Sequence, residues 1–293
     1  MPIHKGQKTI VIEKSGASAE IYLYGATVSS WKSGGVERLW MSGAAVLDGS
    51  APIRGGIPIG FPIFAVDVHP DFPELGGAHG FARINIWTLD DAVHETETEI
   101  TATFRLGPND AIAKLFPPPF ELVYEVTLTA RSLTTVLHIT NPASPDATPW
   151  KFNTVFHTYY KVPHAPSASL APLTGTPYID RLAGMARKVQ AGDTAGVAVE
   201  TARAYDLSAK QDRCEVVLSY GGGATDALRI VSEGFPDAVL WNPREASGSK
   251  VPDMSKGGWD EFVCWEPGVI SNLATLKPGE TFKGVQHVEV ISA

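Results

Sequence analysis

Cysteines and basic runs are scarce in this sequence, and each scarcity excludes a class of protein. Only Cys214 and Cys264 occur among 293 residues, and no C-x-x-C motif is present. Two cysteines cannot build a disulfide scaffold, so we expect free thiols in a reducing compartment. The net charge is -8, and no Lys/Arg-rich run occurs, which disfavours binding to nucleic acid.

Long apolar stretches are also missing. The longest apolar run, Ile57 to Val66, is far shorter than the ~20 residues that a membrane-spanning helix needs. The first residues, Met1 to Gly6, contain no apolar core of a signal peptide. We therefore expect a soluble, cytoplasmic protein that binds no membrane.

Helical patterning is rare, whereas alternation of apolar and polar residues is frequent. Ile100 to Leu106 and Leu122 to Ala130 alternate with a period of two, which is typical of strands with one face on a core. One short helix is predicted at Asp110–Phe116, before Pro117. The 28 glycines and 22 prolines supply many turns. The sequence predicts an all-β protein, a large antiparallel β-sandwich, in one domain spanning residues 1–293.

Shorter segments complete this prediction. Further strands are predicted at Thr9–Glu13, Glu20–Tyr24, Thr134–Thr140, Cys214–Tyr220, Ala227–Val231, Ala238–Trp241, Glu261–Trp265 and Val285–Ile291. Loops are predicted at Ser144–Pro149, Ala165–Pro172 and Ala246–Lys256, and a hairpin turn at Gly221–Gly223.

Two glycine-flanked segments carry positive charge beside an apolar run. They are Arg54-Gly55-Gly56-Ile57-Pro58 and His79-Gly80-Phe81-Ala82-Arg83. Arg54 and Arg83 present rigid forks of donors that suit phosphate or carboxylate, although surface salt bridges would also explain them. His79 could donate to a substrate oxygen or cap a turn. We predict the floor of a pocket for a small anion.

His157 and Glu266 are candidates for proton transfer. His157 lies among Phe and Tyr residues, where an imidazole can titrate near neutral pH, but it could also be a core histidine with satisfied hydrogen bonds. Glu266 ends an apolar strand before Pro267 and Gly268, so burial could raise its pKa; alternatively, it accepts hydrogen bonds from a turn. A loop following Trp241 contains Arg244, which could add charge to a pocket or lie in solvent.

The known motifs of nucleotide, metal and serine chemistry are missing. There is no P-loop, no Rossmann glycine signature, no H-E-x-x-H and no G-x-S-x-G. The histidines His69, His79, His157 and His164 do not have the spacing of a zinc site. We therefore expect no metal and no cofactor.

Five segments, in this order along the chain, resemble the glucose-6-phosphate 1-epimerase (hexose-6-phosphate mutarotase) branch of the aldose 1-epimerase family. They are Arg54-Gly55-Gly56-Ile57-Pro58, His79-Gly80-Phe81-Ala82-Arg83, Phe152-Asn153-Thr154-Val155-Phe156-His157-Thr158-Tyr159, Val239-Leu240-Trp241-Asn242-Pro243 and Cys264-Trp265-Glu266-Pro267-Gly268. The resemblance implies a galactose mutarotase-like β-sandwich that interconverts the α and β anomers of glucose 6-phosphate.

The resemblance also implies a role for each candidate residue. His157 would be the general acid and Glu266 the general base, Arg54 and Arg83 would bind the phosphate, and His79 would be an auxiliary pocket residue. The expected partner is a small sugar phosphate, and we expect a monomer.

Three positions, Ala78, Ala202 and Arg244, depart from the family pattern, which bears on how sugar hydroxyls are held. Two alternatives follow: a sugar-phosphate binder or sensor without activity, and a mutarotase for unphosphorylated sugars. A retaining glycosidase fits less well, because it needs two carboxyl groups and only Glu266 stands out.

Overall fold

The computed structural model describes residues 3–65, 68–210 and 213–292. Met1 and Ala293, the ends of the predicted domain, lie outside the described residues, as does Val66, the end of the predicted apolar run.

Strands dominate the described residues. In chain order they are β1 (Ile3–Lys5), β2 (Thr9–Lys14), β3 (Ala17–Tyr22), β4 (Thr27–Ser33), β5 (Val36–Glu37), β6 (Ile59–Gly60), β7 (Thr88–Leu89), β8 (His94–Glu95), β9 (Ile100–Leu106), β10 (Glu121–Leu128), β11 (Ser132–Thr140), β12 (Trp150–Phe156), β13 (Tyr159–Lys161), β14 (Ser169–Ala171), β15 (Pro177–Asp180), β16 (Ala186–Val189), β17 (Ala195–Gly196), β18 (Thr201–Asp206), β19 (Arg213–Ser219), β20 (Asp226–Glu233), β21 (Asp237–Asn242), β22 (Phe262–Leu276) and β23 (Thr281–Ser292).

Helices are short. The α-helices are α1 (Asp110–Leu115) and α2 (Arg244–Gly248), and 3-10 turns cover Pro73–Leu75, Ala82–Ile84, Ala165–Ser167, Ser208–Lys210 and Gly258–Asp260. Throughout the described part of the chain, no helix has the length and apolar character needed to cross a membrane.

The strands form three antiparallel sheets. The first has five strands in the order β1-β2-β3-β4-β5. The second has ten, in the order β17-β14-β19-β20-β23-β11-β10-β9-β7, with β8 also paired to β9. The third has eight, in the order β16-β15-β18-β21-β22-β12-β6, with β13 also paired to β22.

The second and third sheets pack face to face. Tyr124 of β10 and Phe156 of β12 are fully buried, and their ring centroids lie 5.8 Å apart. Phe104 and Trp265 belong to the same buried cluster, one from each sheet. The predicted antiparallel sandwich is therefore confirmed, and the alternation seen in the sequence is the alternation of core-facing and outward side chains.

The predicted strands and helix are confirmed, with shifts at their ends. Helix α1 begins after Asn109, whose side chain accepts hydrogen bonds from the backbone N–H groups of Ala111 and Ile112. Gly221–Gly223 does form the turn between β19 and β20.

Two of the three predicted loops are partly wrong. Ala165–Pro172 contains a 3-10 turn and strand β14, and α2 extends into Ala246–Lys256. Both elements depend on tertiary contacts: β14 pairs with β19, and α2 packs so closely that a Cβ on Gly248 would lie 2.9 Å from the Trp259 ring. Neither contact leaves a periodic signal in the sequence.

Candidate active site

The outward face of the third sheet carries the predicted proton-transfer pair. Residue pairing across this sheet sets Ala204 beside Val239 and Val239 beside Glu266. Trp265 points into the sandwich core, so Glu266, the next residue, points to the opposite face. His157 approaches the same face from the end of β12.

His157 is held by its backbone and by flanking rings. Its N–H donates to the Pro58 carbonyl at 2.9 Å. Its imidazole stacks on the Tyr159 ring, with centroids 4.8 Å apart and planes at 10°, and meets Trp241 edge-on. The side chain is buried, yet Nδ1 makes no hydrogen bond within the described residues. His157 is therefore not a core histidine with satisfied hydrogen bonds.

Glu266 is almost completely buried and faces His157. Its Oε1 atom lies 3.4 Å from Nδ1 of His157, within ion-pair distance but without hydrogen-bond geometry. The prediction that Glu266 ends its strand is wrong. Pro267 and Gly268 pair with Ala238 and Asp237 of β21, so β22 continues to Leu276.

Burial pushes both groups of this pair towards their neutral forms. It raises the pKa of Glu266 well above its usual value, although the positive charges of Arg181 and Arg83 act in the opposite direction. Burial also lowers the pKa of His157 well below its usual value, and His79, Arg54 and Arg83 lower it further. The pair has two states with the same number of protons: imidazolium with carboxylate, and imidazole with carboxylic acid. These states differ only in which of the two groups holds the shared proton.

Arg54 reaches the site through Tyr159. Its Nε donates to Asp253 Oδ1 at 3.1 Å, and its NH1 donates to the Tyr159 hydroxyl at 3.0 Å. A salt bridge is thus present, as one interpretation of the sequence expected, but both partners are largely buried. This ion pair fixes the guanidinium beside the aromatic wall of the pocket.

Arg83 is a half-buried cation without a carboxylate partner among the described residues. It lies within the 3-10 turn of Ala82–Ile84, and its NH2 donates to the Ala78 carbonyl at 2.7 Å. Its Nε is buried and unpaired, and burial lowers the pKa of Arg83 to about 10. Partial burial of a cation without a counter-charge is costly, and a bound anion would offset that cost.

His79 shapes the wall next to His157. Its φ is 61°, a left-handed conformation that is rare for a residue with a side chain. Its Nδ1 accepts a hydrogen bond from the Ala65 N–H at 3.3 Å, and its ring lies 5.3 Å from the His157 ring. Burial lowers the pKa of His79 to about 3, so the ring is neutral and its Nε2–H is a donor. His79 thus accepts a hydrogen bond from a turn and also lies beside His157, so the two interpretations of this residue are compatible.

Three further residues of the site were missed by the sequence reasoning. Tyr159 and Trp241 flank the imidazole of His157. The guanidinium of Arg181 lies 5.1 Å from the centroid of the Phe64 ring, and its positive charge acts on Glu266. Tyr159 could have been found from its position two residues after His157, whereas Arg181 follows the short strand β15 and has no such signal.

The positions that depart from the family pattern have defined places. Ala202 pairs with Trp241 across β18 and β21. Arg244 forms an ion pair with Asp260 at 2.6 Å and donates to the Trp259 carbonyl, so its charge is paired with a carboxylate outside the site. It begins α2 and does not lie in the predicted solvated loop.

One set of side chains in the described ranges has the donor types of a metal site. The ligand atoms of His157, Cys264 and Glu266 lie within 4.8 Å of one another. Burial raises the pKa of the Cys264 thiol well above its usual value, so the thiolate is disfavoured. The positive charge of Arg54, Arg83 and Arg181 near these groups also opposes a divalent cation. The set is better suited to proton transfer.

A cavity of about 380 Å³ lies further out on the third sheet. It is lined in part by Ile179, Arg187, Ala204, Asp237 and Ser271, and by none of the five predicted site residues. Proton donors, proton acceptors and positive charge converge instead at the His157–Glu266 pair and its neighbouring arginines.

Comparison with known proteins identifies the family of this chain. The family model described as aldose 1-epimerase matches residues 8–289. The chain belongs to the aldose 1-epimerase family. The aldose 1-epimerase match spans the whole sandwich, from β2 to β23, including all five predicted site residues.

Relatives within the family carry related names. A protein of Cenchrus ciliaris, named "Putative glucose-6-phosphate 1-epimerase", is 30% identical over 286 residues, covering 95% of this chain and 83% of the relative. A protein of Escherichia coli K12 with the same name is 28% identical, covering 96% of this chain and 90% of the relative.

Solved structures show the same fold. A mutarotase-like protein of Salmonella typhimurium, titled a "putative mutarotase", superposes with a TM-score of 0.85 at 23% identity, covering 99% of this chain and 93% of the other. Galactose 1-epimerase from Lactobacillus acidophilus superposes with a TM-score of 0.75 at 15% identity, covering 99% and 97%. The fold is the galactose mutarotase-like β-sandwich.

Proposed function

We propose that this aldose 1-epimerase family member is a hexose-6-phosphate mutarotase that interconverts the α and β anomers of glucose 6-phosphate. The observation that carries the proposal is the buried His157–Glu266 pair together with Arg83, a half-buried cation whose Nε is buried and makes no hydrogen bond. The pair supports proton transfer, and the arginine supports an anionic substrate. We further propose that the enzyme acts in the cytoplasm as a monomer.

The phosphate takes no part in bond making. Arg54 and Arg83 would bind it, and that binding would orient the anomeric carbon at His157 and Glu266. Arg83 offers an unpaired Nε–H, and Arg54 is fixed in place by Asp253 and Tyr159. His79 would donate from Nε2 to an oxygen of the sugar.

The reaction moves two protons between oxygens bonded to one carbon. In the proposed roles, His157 protonates the ring oxygen while Glu266 takes the proton of the anomeric hydroxyl. The bond between C1 and the ring oxygen breaks, and the anomeric oxygen becomes the aldehyde oxygen. After rotation about C1–C2, the two groups exchange roles and the ring closes on the other face.

The close spacing of the pair supports this mechanism. Nδ1 of His157 and Oε1 of Glu266 lie 3.4 Å apart, close enough to serve two oxygens of the same carbon. Each positioned proton transfer typically contributes ~10²–10⁴ in rate. Because each group reverses its proton transfer when the ring closes, the enzyme would end each cycle in its starting protonation state.

Anomer exchange measured by NMR tests the proposal. The protein should accelerate exchange between α- and β-glucose 6-phosphate, and His157→Asn or Glu266→Gln should reduce the enzymatic rate by at least ~10²-fold. Either variant exchanging at the wild-type rate would exclude the assigned roles. Binding of glucose 6-phosphate without any acceleration would support the non-catalytic binder instead.

Substrate comparison supplies the control. Arg83→Met should reduce kcat/KM for glucose 6-phosphate far more than for free glucose, because only the phosphosugar uses the guanidinium. Equal losses on the two sugars would contradict a phosphate site and would favour a mutarotase for unphosphorylated sugars.

A further inference from the structure

Tyr159 connects the cationic part of the site to the proton-transfer pair. Its hydroxyl accepts a hydrogen bond from Arg54 NH1 at 3.0 Å. Its ring stacks on the His157 imidazole at 4.8 Å with nearly parallel planes. One rigid side chain therefore touches both the anion-binding arginine and the proposed acid.

The surroundings of Tyr159 prevent it from moving independently. The side chain is fully buried and packs against Trp40 and Phe262, with centroids at 5.7 and 5.0 Å. Its N–H donates to the Gly56 carbonyl, within the segment that contains Arg54. A change in the position of Arg54 would therefore be transmitted to the ring that supports His157.

Electrostatics link the same groups. Burial lowers the pKa of His157, and the neighbouring His79, Arg54 and Arg83 lower it further. Glu266 at 3.4 Å and the Cys264 thiol lie near the imidazole from β22, and the ring of Tyr159, another titratable residue, stacks on it from β13. An anion bound to the two arginines would offset their charge and make the imidazolium form of His157 more accessible.

We propose that Tyr159 is a positioning residue that couples the anion site to His157, so that an anion bound by Arg54 and Arg83 activates proton transfer at the anomeric carbon. This inference rests on the proposed function. It goes further, because the phosphate then acts as an activator of the acid as well as an anchor for the sugar.

The test separates the anchor from the activator by supplying the anion in a separate molecule. Free glucose carries the anomeric carbon, and phosphite dianion carries the charge. With the wild-type protein, phosphite should raise kcat/KM for glucose anomer exchange by about tenfold, the change that one unit of pKa corresponds to. Exchange in enzyme-free solutions with equal phosphite is subtracted, since phosphite is itself a base catalyst.

Tyr159→Phe removes the hydroxyl that meets Arg54 and keeps the stacked ring. We expect the activation by phosphite to shrink severalfold in this variant, and kcat for glucose 6-phosphate to fall more than KM rises. Tyr160→Phe is the matched control, because Tyr160 is an adjacent buried tyrosine whose hydroxyl bonds to Gln286. The control should keep the full activation.

The outcomes distinguish this inference from the proposed function. Absence of accelerated glucose 6-phosphate exchange in the wild-type protein would overturn the proposed function. Normal exchange of glucose 6-phosphate, with phosphite that competes for the site but does not activate glucose exchange, would overturn the inference alone.

If phosphite does not compete with glucose 6-phosphate, the pH profiles of kcat decide. The alkaline limb of kcat should lie at higher pH for glucose 6-phosphate than for glucose, and coincident limbs would overturn the coupling.

Discussion

Glu266 is a buried carboxyl group whose ionised form depends on nearby cations. Burial raises its pKa, and Arg181 is the first of two cations that act against this, followed by Arg83. The Phe64 ring beneath Arg181 packs in a cluster with Val239, the cross-strand neighbour of Glu266. Arg181 is therefore well placed to keep the proposed base in its carboxylate form.

Replacement of Arg181 should move the pH dependence of activity. In Arg181→Met the pKa of Glu266 rises further, so the acid limb of the kcat profile shifts to higher pH and kcat at pH 7 falls by about tenfold. Activity should recover as the pH is raised. Arg181→Lys keeps the charge and should restore much of the profile.

The control for this measurement is Arg187→Met. Arg187 pairs with Ile179 on the neighbouring strand and is exposed, so its removal should leave the profile unchanged. Loss of activity in Arg181→Met that is the same at every pH would contradict the electrostatic role and indicate a purely structural one.

The sequence predicts residues well where chemistry and local context coincide. His157 and Glu266 are ionisable groups in apolar segments, and Arg54 and Arg83 are cations in glycine-containing turns, so each could be selected individually. Arg181 could not, because the residues after it, such as Leu182 and Met185, are exposed and aperiodic. Only the pairing of β15 with β18 brings it to the site.

At the scale of elements, the glycines beside Arg54 decide how closely two segments can approach. Gly56 has φ 66°, and a Cβ there would lie 2.1 Å from the Val28 carbonyl oxygen. Its own carbonyl accepts from Tyr159, and its N–H donates to Trp40. A side chain at this position would separate the Arg54 segment from β4 and β13.

Gly56→Ala should therefore destabilise the fold by ~3 kcal/mol or more, because overpacking against backbone adds to left-handed strain. Gly34→Ala has nearly the same φ, 60°, but nothing within 4 Å of the new Cβ, so it should lose only ~1–2 kcal/mol. Chemical denaturation of both variants measures the difference. Equal losses of stability in the two variants would show that the left-handed conformation, and not the close approach to Val28, determines the cost of a side chain at Gly56.

Elements were predictable where one face is buried and the other is exposed, as in β9 and β10. The alternation fails where both faces are covered. In β22, nine consecutive residues from Phe262 to Ile270 are buried, since one face meets the core and the other forms the site. The sequence therefore suggested an end at Glu266, in the middle of the strand.

At the scale of the whole molecule, the buried pair links stability to pH. The pKa of Glu266 is higher in the folded protein than in the unfolded chain. The contribution of this group to stability is therefore fully present below its unfolded pKa of about 4.5, and it is lost as the pH rises through its folded-state pKa. The folded-state pKa values of His157 and His79 are lowered, so stability falls as the pH drops below about 6.5. The two effects favour an intermediate pH.

Glu266→Gln should remove the loss of stability that occurs as the pH rises. We expect a Tm above that of the wild type by at least about 2 °C at pH 8, the change that ~1 kcal/mol produces in a chain of this size, and a smaller gap at pH 5. Glu97→Gln, at an exposed loop position, should give no such divergence. A gap that is constant from pH 5 to 8 would contradict the linkage to Glu266.

The contacts that complete the site join distant parts of the chain. Arg54 and Asp253 are 199 positions apart, Arg54 and Tyr159 are 105 apart, and Trp40 donates to Glu261 across 221 positions. Contacts of this range form late, because the intervening chain must first lose its freedom. During refolding, local hairpins such as β9–β10 and β19–β20 will therefore form before the pocket does. A nascent chain will also have no complete site until β22, which contains Glu266, has emerged from the ribosome.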